Sequence, residues 1–160
     1  DPELATKRTR ALYKAKGYSD DWIEKRMRGI AIREELTDGW KKHGVERDKE
    51  YEILTAEISK AAFGLTPSQY KKLKGLKRQN LRDHMTDLEL IFSMLGEAAT
   101  TQITKVEHPR GFEENREISR RGGNVSGVAR EKLEQETGKK VVSRGNYLQK
   151  PQNKKLIDKE

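Results

Sequence analysis

The chain has 160 residues, of which 32% are apolar and 38% charged, with a formal net charge of +8 at pH 7 and a pI near 9.6. A chain of this length forms one domain, or one domain with an appended tail, and so low an apolar fraction excludes a large enzyme core. The absence of cysteine rules out disulfides and thiolate metal sites and fits a reducing cytoplasm. No apolar run approaches the roughly 20 residues of a membrane span, so we expect no membrane partner.

The spacing of apolar residues predicts an all-α fold, a compact bundle of about six to seven short-to-medium helices with a polar C-terminal tail. The first helix is predicted at about 2–16 and the second at about 19–43, where Gly29 is expected to kink or break it. A third helix is predicted at about 48–63. Capping boxes at 66–69 and 86–89 predict two further helix starts, a short helix to about residue 73 and a longer one to about residue 103.

The helix after the second capping box carries the longest apolar stripe in the chain, from Leu88 to Ile103. Leu88, Ile91 and Leu95 recur at helical spacing, so we expect this helix at the centre of the fold, with Leu95 buried. A hinge at 108–111 should precede two shorter helices, at about 112–120 and 124–137, separated by a break at the glycine pair 122–123. These patterns predict a main helical domain over 1–106, a hinge plus helical extension over 107–142, and a polar tail over 143–160.

The segment 71–82 is a basic run with six basic residues and no acidic one. A helix and a turn lined by unopposed Lys and Arg side chains can follow a phosphate backbone. We therefore predict nucleic-acid-binding residues at Lys71, Lys72, Lys74, Lys77, Arg78 and Arg82. A second basic group surrounds the glycine pair and is expected to add phosphate contacts through Arg116, Arg120, Arg121 and Arg130. The run lacks a recognition-helix signature, so no base sequence is predicted.

No catalytic or metal-binding constellation accompanies the basic run. His43, His84 and His108 are far apart in sequence and lack the spacing of a metal motif. The glycine-rich segment 122–127 opens a predicted helix, but no strand precedes it and no Lys-Ser/Thr pair follows, so it is not a nucleotide-binding loop. Nothing places a nucleophile beside a base. We therefore expect no enzyme activity, no cofactor and no metal.

Several segments also share their order with a known family. The chain contains RTR at 8–10, YKAKGY at 13–18, REELTD at 33–38, GLKRQNLRDHMTDLELIFSMLGEAATT at 75–101 and FEENREISRRGGNVSGVAREKLEQETGKKVVS at 112–143. From Asp1 to about Leu148, this order resembles the region that follows the BRO-type N-terminal domain in phage antirepressor-like proteins. It is more distantly similar to the C-terminal part of DNA-damage-inducible protein D.

The resemblance implies a regulatory, non-enzymatic role in prophage or DNA-damage-response control. It implies DNA binding and transcription regulation, and a protein partner such as a repressor or a recombination protein. The BRO-type domain itself is absent from these residues. The missing initiator Met before Asp1 leads us to expect a fragment or the product of cleavage.

Two functional hypotheses remain open. The first is a helical module that binds nucleic acid through the basic run, with DNA favoured over RNA as the partner. The second is a protein-interaction and oligomerisation module, in which the thin apolar stripes complete their burial in a homodimer. The basic run is then a solvated face, or it meets an acidic partner.

Overall fold

The structure, a computed structural model, describes residues 1–146, and the last fourteen residues, including most of the predicted polar tail, lie outside this range. The described residues contain helices and no strand, which confirms the predicted all-α fold. The six α-helices are α1 (Pro2–Ala15), α2 (Asp20–Lys42), α3 (Asp48–Phe63), α4 (Pro67–Leu73), α5 (Asp87–Glu107) and α6 (Gly111–Thr137). A short 3₁₀ helix, Leu81–His84, lies between α4 and α5.

The predicted helix starts are confirmed at α4 and α5. The Thr66 hydroxyl accepts from the Gln69 amide at 3.2 Å, and the Gln69 side chain accepts from the Thr66 amide at 2.9 Å. Thr86 and Glu89 make the same reciprocal pair at 3.3 and 2.9 Å. Each box satisfies two amides that the first turn of a helix would otherwise leave without partners.

The predicted break at the glycine pair is wrong, because α6 runs without interruption from Gly111 to Thr137. A Cβ atom at Gly122 would lie 2.6 Å from the backbone N and Cα of Thr100 on α5, and one at Gly123 would lie 2.6 Å from the carbonyl oxygen of Ile58 on α3. These glycines therefore allow α6 to approach both neighbouring helices at backbone distance. The predicted break at Gly29 is also absent, since α2 is continuous from Asp20 to Lys42, and the Met94 side chain packs over that glycine.

α5 is central, as expected, and it packs against α2, α3 and α6. The predicted buried face of α5 is wrong, however, because Leu88, Ile91 and Leu95 are 45%, 40% and 36% exposed. The inward face instead carries Glu89, Leu90, Phe92, Ser93, Gly96, Glu97, Thr100 and Thr104. Small and hydroxyl-bearing residues on this face allow close packing, and the Thr100 and Thr104 hydroxyls donate to carbonyl oxygens one turn earlier, at 2.8 Å each.

Two clusters form the core. One is rich in aromatic rings and joins α1, α2, α3, α4 and α5, and it also includes Val141 from beyond α6. The other is centred on Leu36, Trp40 and Leu54. α6, which follows the predicted boundary near residue 106, lies against α3 and α5. Among the described residues, no helix is both long and apolar enough to cross a membrane.

Candidate nucleic-acid interface

Four of the cations predicted to bind nucleic acid lie at the surface on α4 and the loop that follows it. Lys72, Lys77 and Arg78 are exposed and Lys71 is half-buried. The loop turns away from α4 at Gly75, whose φ of 72° falls in the left-handed region that glycine tolerates. Within residues 1–146, none of the four side chains forms an ion pair.

Lys74, from the same run, faces the interior. Its ammonium donates to Glu89 Oε1 at 2.8 Å, both side chains are 0% exposed, and it also contacts the carbonyl oxygen of Gly145. The Tyr70 hydroxyl donates to the second oxygen of the same carboxylate. Burial, reinforced by the negative charge of Glu89, raises the pKa of Tyr70 and keeps its hydroxyl protonated. Lys74 thus joins α4 to α5 and is not available to a phosphate.

Arg82 belongs to a second internal ion cluster. Its Nη1 and Nη2 atoms donate to the two oxygens of Glu97 at 2.8 Å each, and Arg33 Nη1 donates to Glu97 Oε2 at 2.9 Å. Burial alone would raise the pKa of the Glu97 carboxyl, but the two guanidinium groups outweigh it and hold that pKa below its ordinary value. Two cations share one anion, so this cluster carries a net positive charge.

The second basic group is ion-paired on the surface of α6. Arg120 pairs with Glu117 at 2.5 Å, Arg121 with Glu107 at 2.6 Å, and Arg116 with Glu57 at 3.0 Å. Arg130 is mostly buried and bonds Glu134 and the carbonyl oxygen of Ala62. Because α6 continues through the glycine pair, these side chains surround a helix and not the loop that the sequence indicated.

The four surface cations surround two adjoining cavities. The outer cavity has a volume of about 750 Å³ and is lined by Arg33, Lys71, Lys72 and Lys77 among others. The inner cavity has a volume of about 420 Å³ and is lined by Lys71, Arg78 and Arg82, together with an apolar wall. Both are bounded by Thr55, Pro67 and Lys71. We call this feature the basic groove, defined by Arg33, Lys71, Lys72, Lys77, Arg78 and Arg82.

Two residues that shape this site carry no signal in the sequence. Arg33 comes from the middle of α2 and Glu97 from the middle of α5, and both are joined to Arg82 only by the fold. The groove also holds two acidic side chains: Glu97 is already neutralised by its arginines, and Glu52 lies on the exposed side of α3. Among residues 1–146, no cluster of His, Asp or Glu could hold a metal ion.

Comparison with known proteins adds no family assignment. No protein-family model matches the chain, and no curated protein matches it at a significant level.

Proposed function

We propose that this chain is a non-enzymatic, regulatory domain of the BRO and antirepressor-like kind that binds nucleic acid in the basic groove. The observation that carries the proposal is the gathering of Lys71, Lys72, Lys77 and Arg78 around one concave surface without an acidic partner. Binding to a nucleic-acid backbone gains free energy when protein cations displace the counterions of the phosphates. Cations that have no partner within the protein are the most readily available for this.

The geometry of the groove strengthens this argument. Arg33 and Arg82 are held in place by Glu97 and add a fixed positive charge to the floor. A concave, positively charged surface concentrates the local field and attracts a polyanion from a distance. An arginine in a surface ion pair, such as Arg121 with Glu107, contributes less to phosphate binding than an unpaired cation. The phosphate would have to replace the carboxylate already bound there.

The test is fluorescence anisotropy with mixed-sequence DNA at several salt concentrations. In the parent, log affinity should fall with log salt at about −0.7 per phosphate on single strands and −0.9 on duplex. Replacing Lys71, Lys72, Lys77 and Arg78 together with Ala should flatten the single-strand slope by about three.

A matched control removes the same charge elsewhere. Lys41, Lys42, Lys49 and Lys60 are exposed, lie outside the groove and form no ion pair within the described residues. The Ala variant of these four should keep the parent slope. If DNA binding is undetectable at low salt, or if the two variants lose affinity equally, the groove is not the binding site.

A second candidate function is protein interaction or homodimerisation, and a specific observation favours it. Leu88, Ile91 and Leu95 form an exposed apolar row on α5, and Val125 and Val128 are exposed on α6, which packs beside it. Under this proposal the row meets another protein, such as a repressor, a recombinase or a second copy of the chain. Sedimentation would then show a salt-resistant dimer that ignores DNA and is dissociated by Leu95→Glu.

A further inference from the structure

The inner cavity of the basic groove combines two kinds of surface that a phosphate backbone alone does not need. One wall is apolar and comes from α3, α4 and the segment before α5, with the residues Ile58, Ala62, Phe63, Pro67, Leu81 and Met85. The mouth carries the cations Lys71 and Arg78. A ligand that matches both surfaces has an apolar part joined by a short link to an anionic part.

We propose that this inner cavity holds one unstacked nucleobase of a single-stranded nucleic acid, while the adjacent phosphates lie on the cations of the groove. The inference rests on the proposed function and specifies which part of the nucleic acid enters the cavity. The cavity volume of about 420 Å³ lies within the range of about 300–1,000 Å³ that is typical of small-molecule sites. A base has two apolar faces and a polar edge, and its own phosphate is only a sugar away.

Polar side chains in the cavity lining supply donors for the edge of a base. Arg82 uses two of its N–H groups on Glu97, and a guanidinium has five, so three remain. Its orientation is fixed by the bidentate contact with a buried carboxylate, which reduces the entropy lost when a ligand binds. Asn80 and Ser93 line the same cavity and add a carboxamide and a hydroxyl.

A single strand fits this arrangement better than a duplex. Bases in a duplex are stacked and paired, and turning one outward costs a few kcal/mol before any contact with the protein is made. Bases of a single strand are already free to leave the stack, and proteins commonly read them by enclosing them in this way.

The experiment uses the unaltered protein and three labelled DNA probes of equal length. These are a mixed-sequence single strand, a strand of the same phosphate number that lacks bases, and a duplex. We expect the strand without bases to bind about tenfold more weakly, or worse, than the normal strand, and the duplex to bind more weakly than the normal strand. Equal affinity for the first two probes would overturn the base assignment.

A cavity-filling variant locates the contact. Ser93→Leu adds volume to the cavity wall and leaves every charge in place, so it should weaken single-strand binding about fivefold or more without changing the salt slope. Ala98→Leu, on the exposed side of the same helix, is the matched control and should bind as the parent does. If a folded Ser93→Leu protein keeps both its affinity and its preference for bases, the base lies elsewhere and the proposal fails.

The two proposals fail in different ways. If none of the three probes binds at low salt, the proposed function fails and the base assignment fails with it. If all three bind with equal affinity and a steep salt dependence, backbone binding stands and only the base assignment is wrong. The probe comparison requires no variant, so it decides the question even if Ser93→Leu does not fold.

Discussion

The close contact between α5 and α6 depends on the absence of a side chain at Gly122. An added Cβ would lie 2.0 Å from Thr100 Oγ1 and 2.6 Å from the Thr100 N and Cα atoms. The threonine hydroxyl can rotate away, but the backbone atoms can move only with α5 as a whole. Gly122→Ala must therefore either separate the two helices or distort one of them.

The expected magnitude follows from two opposing effects. Alanine is favoured over glycine inside a helix by about 1 kcal/mol, whereas forcing extra volume into a packed core costs about 1–3 kcal/mol, and more where the backbone must shift. Because two of the three close atoms belong to the backbone, we place the cost at or above the top of that range. Net destabilisation should be about 2 kcal/mol or more, which corresponds to about 4–8 °C in Tm for a domain of this size.

Urea denaturation monitored by circular dichroism measures this difference, with Gly39→Ala as the matched control. Gly39 lies within α2, and an added Cβ there would meet nothing within 4 Å. The control should therefore be neutral or more stable than the parent by up to about 1 kcal/mol. If Gly122→Ala also gains stability, the two backbones are not in contact and the packing of α6 described above is incorrect.

Three further predictions concern burial and charge. Leu95→Ala should cost less than about 1 kcal/mol by urea denaturation, because Leu95 is 36% exposed, whereas Leu54→Ala should cost about 2–5 kcal/mol, because Leu54 is fully buried. Lys74→Ala should cost about 3–5 kcal/mol, since it leaves the Glu89 carboxylate buried without its cation. Glu97→Gln should be less stable than the parent at pH 7, and thermal melts should show the difference shrinking as the pH falls below the ordinary glutamate value of 4.5.

The sign of the last prediction follows from the lowered pKa of Glu97. A carboxyl whose pKa is lower in the folded protein stabilises the fold above its unfolded pKa, and this contribution disappears as the pH falls through the folded value. The glutamine variant has no such contribution to lose. A constant difference between parent and variant down to pH 3 would mean that the two arginines do not hold the carboxylate as described.

The helix starts were predictable because their causes are local. Thr66 with Gln69, and Thr86 with Glu89, are three residues apart and bond each other's backbone amides. The continuity of α6 was not predictable, because a glycine pair within a helical pattern usually indicates a break. Here the pair is needed because Ile58 and Thr100 lie against it. The cause of that close approach lies in α3 and α5, far away in sequence.

The inward face of α5 was predicted wrongly for a related reason. Hydrophobicity alone selects Leu88, Ile91 and Leu95, yet the buried positions include Glu89 and Glu97. Each of these carboxylates is buried because a cation fifteen residues earlier in the chain reaches it. Ion pairs at that separation have no periodic signature, so a pattern of apolar residues cannot reveal them.

The same ion pairs explain how the basic run divides. In the sequence, Lys74 and Arg82 look like their neighbours, but the fold uses them to neutralise buried carboxylates. Lys71, Lys72, Lys77 and Arg78 remain at the surface, where the prediction placed them. The sequence therefore locates the basic segment, and only the fold separates the cations that are paired with buried carboxylates from those that have no ion pair at the surface.

The central claim is that nucleic acid binds in the basic groove, and the most direct test is a nuclear magnetic resonance titration. Backbone amide signals of the ¹⁵N-labelled protein would be followed as a single-stranded oligonucleotide is added at low salt. We predict that the shifted signals cluster at residues 55–82, with further changes near Arg33 and Ser93. Shifts confined to the exposed row of Leu88, Ile91 and Leu95, or to α1, would contradict the account.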